Sequence, residues 1–180
     1  MSISKIKNKN PGYLALCYHY VRDKQNRKLC PRIMGTSKEQ FLRHIRMMKS
    51  RYQFISLEDA YNFSYGEHAL KKKNGMLLTF DDGLADHYLA AQLLAENKIK
   101  GAFFIPTCIL SQRLPANPII IHYALAFFGV ANFLNACRNA VEELKIKTGY
   151  FNASFFKNKQ DPWQAISKLK NIFKIGRAHV

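Results

Sequence analysis

The stretch MLLTFDDGLADH, residues 76–87, decides the fold of this chain. Its first part, MLLTF, is apolar and too short for a helix, so it predicts a strand over residues 76–80. Two adjacent carboxylates, Asp81 and Asp82, follow at the carboxyl end of that strand, and Gly83 permits a sharp turn after them. Two neighbouring anions repel each other, so either a solvated turn tolerates the pair or a cation lies beside it.

Strands and helices alternate on both sides of this stretch. Buried strands are predicted over 13–19, 52–55 and 101–106, and an amphipathic helix over 84–98. Ser37 and Gln40 have the spacing of a capping box, which predicts that a helix begins there, and Ser56 predicts the start of a second helix that ends near Gly66. Strands joined by helices favour a parallel sheet, so the fold class is α/β.

The alternation stops near residue 114. From there to residue 147 the sequence predicts one or two helices broken near Gly129. A further helix is predicted to begin at Asp161, with Pro162 in its first position. We therefore expect a helical insertion over about residues 114–174.

The overall composition limits the classes of function. The chain has 180 residues and a formal charge of +16, but its lysines are scattered, so we expect no nucleic-acid partner. The four cysteines (Cys17, Cys30, Cys108 and Cys137) show no C-x-x-C spacing and are expected to be free thiols. No signal peptide or membrane-spanning run is evident, so a cytoplasmic location is expected.

The acidic pair lies where parallel α/β folds collect their reactive groups, at the carboxyl end of a strand. Adjacent residues that leave a strand point in different directions, so one carboxylate can bind a metal while the other faces a reacting atom. The structural alternative, a helix-entry turn with an Asp cap, needs only one Asp. His19 ends the first predicted strand, whereas His44 and His87 are expected on helix surfaces.

The segment LLTFDDG resembles the signature of the polysaccharide deacetylase, or NodB-homology, family of metal-dependent hydrolases. Three further segments are similar to the same family, in its permuted poly-N-acetylglucosamine deacetylase-like subgroup. They are LCYHYV near the start, F-L-x-x-I-x-x-M-K followed by YQFISLEDA, and A-x-L-L-A-E-N-K-I-K-G-A-F-F-I after the acidic pair. The resemblance covers residues 13 to 110. It implies a distorted (β/α) barrel, of which this chain would form an incomplete part with a helical insertion.

The resemblance also implies roles for individual residues. Asp81 becomes the general base, Asp82 the first metal ligand and His19 the general acid. The implied cofactor is Zn²⁺ or another divalent metal, and the implied substrate is an acetylated amino-sugar oligo- or polysaccharide or a glycolipid. A metal-bound water with a pKa near ~7 would attack the acetyl carbonyl.

The family completes its metal site with an H-x-x-x-H pair, which this sequence lacks. Its histidines are His19, His44, His68, His87, His122 and His179, and no two are four residues apart. Only four strands are predicted, against the roughly eight of a complete barrel. We therefore expect residues 1–174 to be the N-terminal part of a deacetylase barrel, inactive by itself, with an incompletely ligated metal. Residues 175–180, IGRAHV, resemble a translated sequencing adapter and are expected to be an artefact.

Two other functions compete with a deacetylase. A non-catalytic carbohydrate-binding or interaction module could use the same strand ends without chemistry. A phosphate-handling α/β enzyme is less well supported, because neither G-x-x-x-x-G-K-[ST] nor G-x-G-x-x-G occurs in the sequence. The sequence does not identify the sugar, the acetyl position or the role of His122.

Overall fold

A computed structural model describes residues 12–23, 33, 35–66, 74–145 and 167. The chain divides into two compact units, residues 1–28 with 34–107 and residues 29–33 with 108–180. In chain order the described elements are β1 Tyr13–Tyr18, β2 Val21–Arg22, β3 Thr36–Ser37, α1 Lys38–Arg51, β4 Gln53–Phe54, α2 Leu57–Ser64, β5 Gly75–Phe80, α3 His87–Glu96, β6 Gly101–Phe103, α4 Thr107–Ser111, α5 Asn117–Phe128 and α6 Val130–Glu143.

Strand β5 is the centre of a four-stranded parallel sheet in the first unit. Strand β1 pairs with the whole length of β5 along one edge. The carbonyl groups of Met76 and Phe80 accept hydrogen bonds from Ile55 and Phe104 on the opposite edge, where β4 and β6 lie. The predicted α/β fold with a parallel sheet is therefore confirmed. The described strands form an open sheet, so the incomplete barrel stays a prediction.

Side chains of β5 alternate between two apolar clusters, which explains why all six of its residues are buried. Leu78 and Phe80 pack with the buried residues of α1 and α3, and Leu77 packs with Ile55, Ala60 and Ala102. Helix α1 packs on the sheet through an apolar face: Phe41, Ile45 and Met48 are buried and Leu42 packs against them. Strand β5, with its acidic pair, is thus held from both faces.

Helices α1 and α2 begin with complete capping boxes, as the serines predicted. The Ser37 hydroxyl accepts a hydrogen bond from the Gln40 backbone, and the Gln40 side chain accepts one from the Ser37 backbone. Ser56 and Asp59 form the same reciprocal pair at the start of α2. These caps satisfy backbone donors that the first helical turn leaves without partners.

Three details of the first unit differ from the sequence-based expectations. Strand β1 was expected to be buried, yet Leu14 and Leu16 are exposed, because β1 is an edge strand with β5 as its only partner among the described strands. Strand β6 ends at Phe103, and the two residues after it are exposed. The paired strands β2 and β3 were not predicted, because two-residue strands carry no periodic signal.

Helices α5 and α6 belong to the second unit and are separated at Gly129, as predicted. Gly129 has a φ of 76°, a left-handed conformation that glycine adopts without a steric cost. Within the described part of the chain, no single helix has the length and apolar character of a membrane span. Among the described helices, α5 and α6 have that length and apolar character only when taken together, and they are bent by 120° relative to each other. The start of the helix predicted from Asp161 lies outside the described residues.

Candidate functional site

Two loops meet at the carboxyl end of the sheet, because β1 and β5 are parallel neighbours in register. The Asp81 backbone N–H donates to the Tyr18 carbonyl at 3.3 Å, so the pairing continues to the first residue of the acidic loop. His19 follows β1 directly, and its Nδ1 lies 3.8 Å from Oδ2 of Asp82. The structure therefore brings together the three residues that the sequence singled out, His19, Asp81 and Asp82.

Strand alternation determines which side chains enter this cluster. Tyr18 and Phe80 pair across the two strands, and their stacked rings point into the core with centroids 5.7 Å apart. Residues one position away on each strand face the opposite side of the sheet. Cys17 and Asp81 are two such residues, and the Cys17 Sγ donates a hydrogen bond to Oδ2 of Asp81 over 3.4 Å.

Cys17 is the residue that sequence reasoning missed. One ligand atom from each of Cys17, His19 and Asp81 lies within 4.8 Å of the others. The signal was present in the spacing C-x-H, since residues two apart on a strand share a face. Cys17 belongs to no C-x-x-C pair, so the usual cysteine spacing did not indicate it.

The acidic loop has an unusual backbone. Asp82 has a φ of 78° and Gly83 a φ of 58°, so the chain passes through the left-handed region at two successive residues. A non-glycine residue in this region costs on the order of 1–3 kcal/mol and is concentrated at functional sites. This turn sends the two carboxylates to different neighbours, Asp81 to Cys17 and Asp82 to His19.

His87 was expected on a helix surface, and that expectation is wrong. Its side chain is buried, and its Nε2 lies 2.8 Å from the His19 carbonyl oxygen, to which it donates. The ring packs against both Phe80 and Phe103, with centroid distances of 5.6 and 6.0 Å. His87 faces inward because it begins α3 directly above the aromatic end of β5, and it anchors the backbone of the His19 loop.

A buried ion pair joins the same two loops. The Arg22 guanidinium, in β2, donates to the carboxylate of Asp86, which precedes α3. Both residues are buried, and the guanidinium carbon also lies 4.3 Å from the centroid of the Tyr20 ring. The sequence offered no periodic pattern for this contact, because its two members are 64 residues apart.

The site also shifts the pKa values of two of its groups. Partial shielding of the Cys17 sulfur from water raises the pKa of this thiol, although the residue as a whole is exposed. A hydrogen bond with Thr79 lowers the pKa, and the nearby Asp81 and Asp82 carboxylates raise it further. The thiol is therefore protonated at neutral pH and donates to Asp81. Burial raises the pKa of Tyr18 to about 12, and its hydroxyl lies 3.0 Å from Nδ1 of His44. His44 is thus half-buried and tied to the core side of β1.

The donors at this site do not complete the metal shell of the deacetylase family. Asp82 is present with His19 beside it, but the sequence contains no two histidines at i, i+4 spacing. His122 lies in α5, in the second unit, and is half-buried. The described residues therefore offer a different donor set, in which a thiol accompanies one imidazole and one carboxylate.

Several solved structures are similar to this chain. Three of them are the deacetylase PplD of Streptococcus pyogenes in complex with acetate (22% identity, TM-score 0.49, 57% of this chain and 46% of that chain), IcaB from Ammonifex degensii (26%, 0.44, 53% and 38%) and a de-N-acetylase from Aggregatibacter actinomycetemcomitans (25%, 0.47, 58% and 40%). No protein-family model and no curated protein matches the sequence.

Two of these structures are named as deacetylases, the activity of the family that LLTFDDG resembles. The chain spans less than half the length of each of the three. Each of these three TM-scores is below 0.5, so the three structures do not establish the activity of this chain.

Proposed function

We propose that this chain carries the acid–base half of a carbohydrate deacetylase site, which removes acetyl groups from acetylated amino sugars. The observation that carries the proposal is the convergence of His19, Asp81 and Asp82 at the carboxyl ends of two paired parallel strands. Hydrolysis of an acetamide requires a base that takes a proton from water and an acid that protonates the leaving nitrogen. A carboxylate and an imidazole at one strand end are suited to these two roles.

Asp81 is proposed as the general base and His19 as the general acid. His19 has a side chain that is 53% exposed, so its ring can reach a substrate outside the sheet. Imidazole is the side chain whose protonation changes near neutral pH, which suits it to give a proton to an amine. The His87 hydrogen bond to the His19 carbonyl holds this loop in place without using the His19 ring.

Asp82 is proposed as a metal ligand. When a divalent metal is bound, it supplies a polarised carbonyl and a more acidic water. The family's second and third ligands, two histidines, are not in this sequence, so the proposal assigns only Asp82 to that shell. The strained left-handed backbone at Asp82 supports a functional role for this residue. A turn that had only a structural role could place Asn or Gly at this position with less strain.

The test is acetate release from N-acetylglucosamine oligomers by the full-length protein that contains this sequence. Asp81→Asn should lower the rate on the order of 10²–10⁴-fold with the metal at Asp82 retained, because only the base of the reaction is removed. Asp82→Asn should lower the metal content. Glu96→Gln, at the exposed end of α3, removes a carboxylate elsewhere in the same unit and should change neither quantity.

Equal activity and equal metal content in wild type, Asp81→Asn and Asp82→Asn would refute the assignment. Binding of the oligomers without any acetate release by the wild-type protein would favour the carbohydrate-binding module instead.

A further inference from the structure

We propose that Cys17, His19 and Asp81 form a binding site for a thiophilic divalent cation of the zinc and cadmium type, separate from the ligand role of Asp82. The three side chains offer a thiol sulfur, an imidazole nitrogen and a carboxylate oxygen, and these atoms lie within 4.8 Å of one another. Zinc sites in proteins are built from these three donor types.

The distances are close to those that a bound ion requires. Zinc takes ligands at about 2.3 Å for sulfur and about 2.0–2.2 Å for nitrogen and oxygen, so ligand atoms around a tetrahedral ion are roughly 3.4–3.6 Å apart. The Cys17 Sγ and Asp81 Oδ2 already lie 3.4 Å apart. The remaining pairs need to approach by on the order of 1 Å, which side-chain rotation supplies.

The backbone that carries these donors is fixed, whereas the donor atoms are accessible. Cys17 lies within β1. The Asp81 N–H donates a hydrogen bond to the carbonyl of Tyr18, the residue between Cys17 and His19 in the sequence. Cys17 and His19 are exposed and Asp81 is half-buried, so an ion can enter from solvent. Three protein ligands on rigid strand ends leave a fourth position for water.

The donor set selects the class of cation. A thiolate with an imidazole favours zinc and softer ions, whereas magnesium and calcium prefer all-oxygen sites. Binding replaces the thiol proton, which is released to solvent, by a metal–sulfur bond. The Asp82 carboxylate beside His19 adds negative charge near the ion without being one of the three ligands.

Occupation of this site has a consequence for activity that rests on the proposed function. The ion would engage Asp81 and His19, the proposed base and acid, and would therefore inhibit acetate release. Ion binding does not depend on any reaction, so ion binding and inhibition of acetate release can be tested separately.

Cobalt(II) titration of the purified chain tests the site, because cobalt bound to a thiolate gives a charge-transfer absorption band in the near ultraviolet. The wild-type chain should show this band. The triple variant Cys30→Ser, Cys108→Ser, Cys137→Ser, in which Cys17 is the only cysteine, should show it too. The single variants Cys17→Ser, His19→Gln and Asp81→Asn should lose the band or weaken it strongly. Asp82→Asn should keep it.

Circular dichroism of each variant checks that the fold is retained, and the exposed position of Cys17 makes a folding defect in Cys17→Ser unexpected. A cobalt band that survives Cys17→Ser, or one that is lost in Asp82→Asn but kept in Asp81→Asn, would overturn the proposal. In the full-length protein, cadmium should inhibit acetate release by wild type and not by Cys17→Ser. Failure of that assay alone would refute the inhibitory role and leave the cobalt result intact.

Discussion

Helices α1 and α2 begin differently from helix α3, although all three belong to the same compact unit. The first two begin at serines whose hydroxyls bond the backbone of the first turn, in complete capping boxes. Helix α3 follows the acidic loop, and the residue before it, Asp86, has helical backbone angles and makes no capping hydrogen bond. Its carboxylate bonds Arg22 instead.

The difference shows that side chains at a helix start have one of two roles in this unit. Where a helix start has only a structural role, its side chains follow the usual capping pattern and stabilise the helix. Where the helix start lies beside His19 and the acidic pair, the side chains of Asp86 and His87 bond the neighbouring segment of chain, at Arg22 and at the His19 carbonyl. Departures from local rules are expected at functional sites.

The largest expected effect comes from breaking the Arg22–Asp86 pair. Asp86→Asn or Arg22→Met leaves one buried charge without its partner, which should lower the free energy of unfolding by about 3–5 kcal/mol. Urea denaturation of each variant measures this loss. The double variant should be less unstable than the sum of the two single changes, because it leaves neither charge buried alone. Fully additive losses would show that the ion pair does not couple the two loops.

A smaller effect is expected from His87. His87→Leu keeps an apolar side chain of similar bulk against Phe80 and Phe103 but removes the donor to the His19 carbonyl, which should cost about 1–3 kcal/mol. His87→Gln, which retains a side-chain N–H donor, is the matched control and should lose less stability. A greater loss in His87→Gln than in His87→Leu would mean that packing, and not the hydrogen bond, is the main contribution of this residue.

These two contacts also mark the limit of what the sequence predicted. Strand β5, the capping box at Ser37, the helix start at Ser56 and the break at Gly129 follow from local patterns, and all were predicted. The meeting of His19 with Asp82 could be anticipated from the rule that parallel strand ends share an edge. The burial of His87 and the Arg22–Asp86 pair could not, because both depend on contacts more than 60 residues apart in sequence.

At the capped helices we expect losses of moderate size. Ser37→Ala and Ser56→Ala each remove the side-chain acceptor of one capping box and should lower the free energy of unfolding by about 1 kcal/mol. Ser37→Asp and Ser56→Thr retain an acceptor, and the threonine hydroxyl also keeps the donor to the Asp59 carboxylate, so both should recover most of the loss. If the alanine variants unfold at the wild-type urea concentration, the caps are not what distinguishes α1 and α2 from α3.

The smallest effect on stability is expected at Asp82, the residue proposed to be most directly functional. Asn is one of the few residues that tolerates a positive φ, and Asp82→Asn also removes the repulsion from Asp81, so the strained turn should be retained at no net cost. We expect the free energy of unfolding to stay within about 0.5 kcal/mol of wild type, or to rise slightly. Urea denaturation at neutral pH measures it, with Glu96→Gln as the control for losing one negative charge. A loss of 2 kcal/mol or more would be incompatible with this view, on the scale of ordinary buried-group effects. It would mean that the Asp82 carboxylate stabilises the turn itself, and that its position beside His19 serves the structure of the loop and not metal binding.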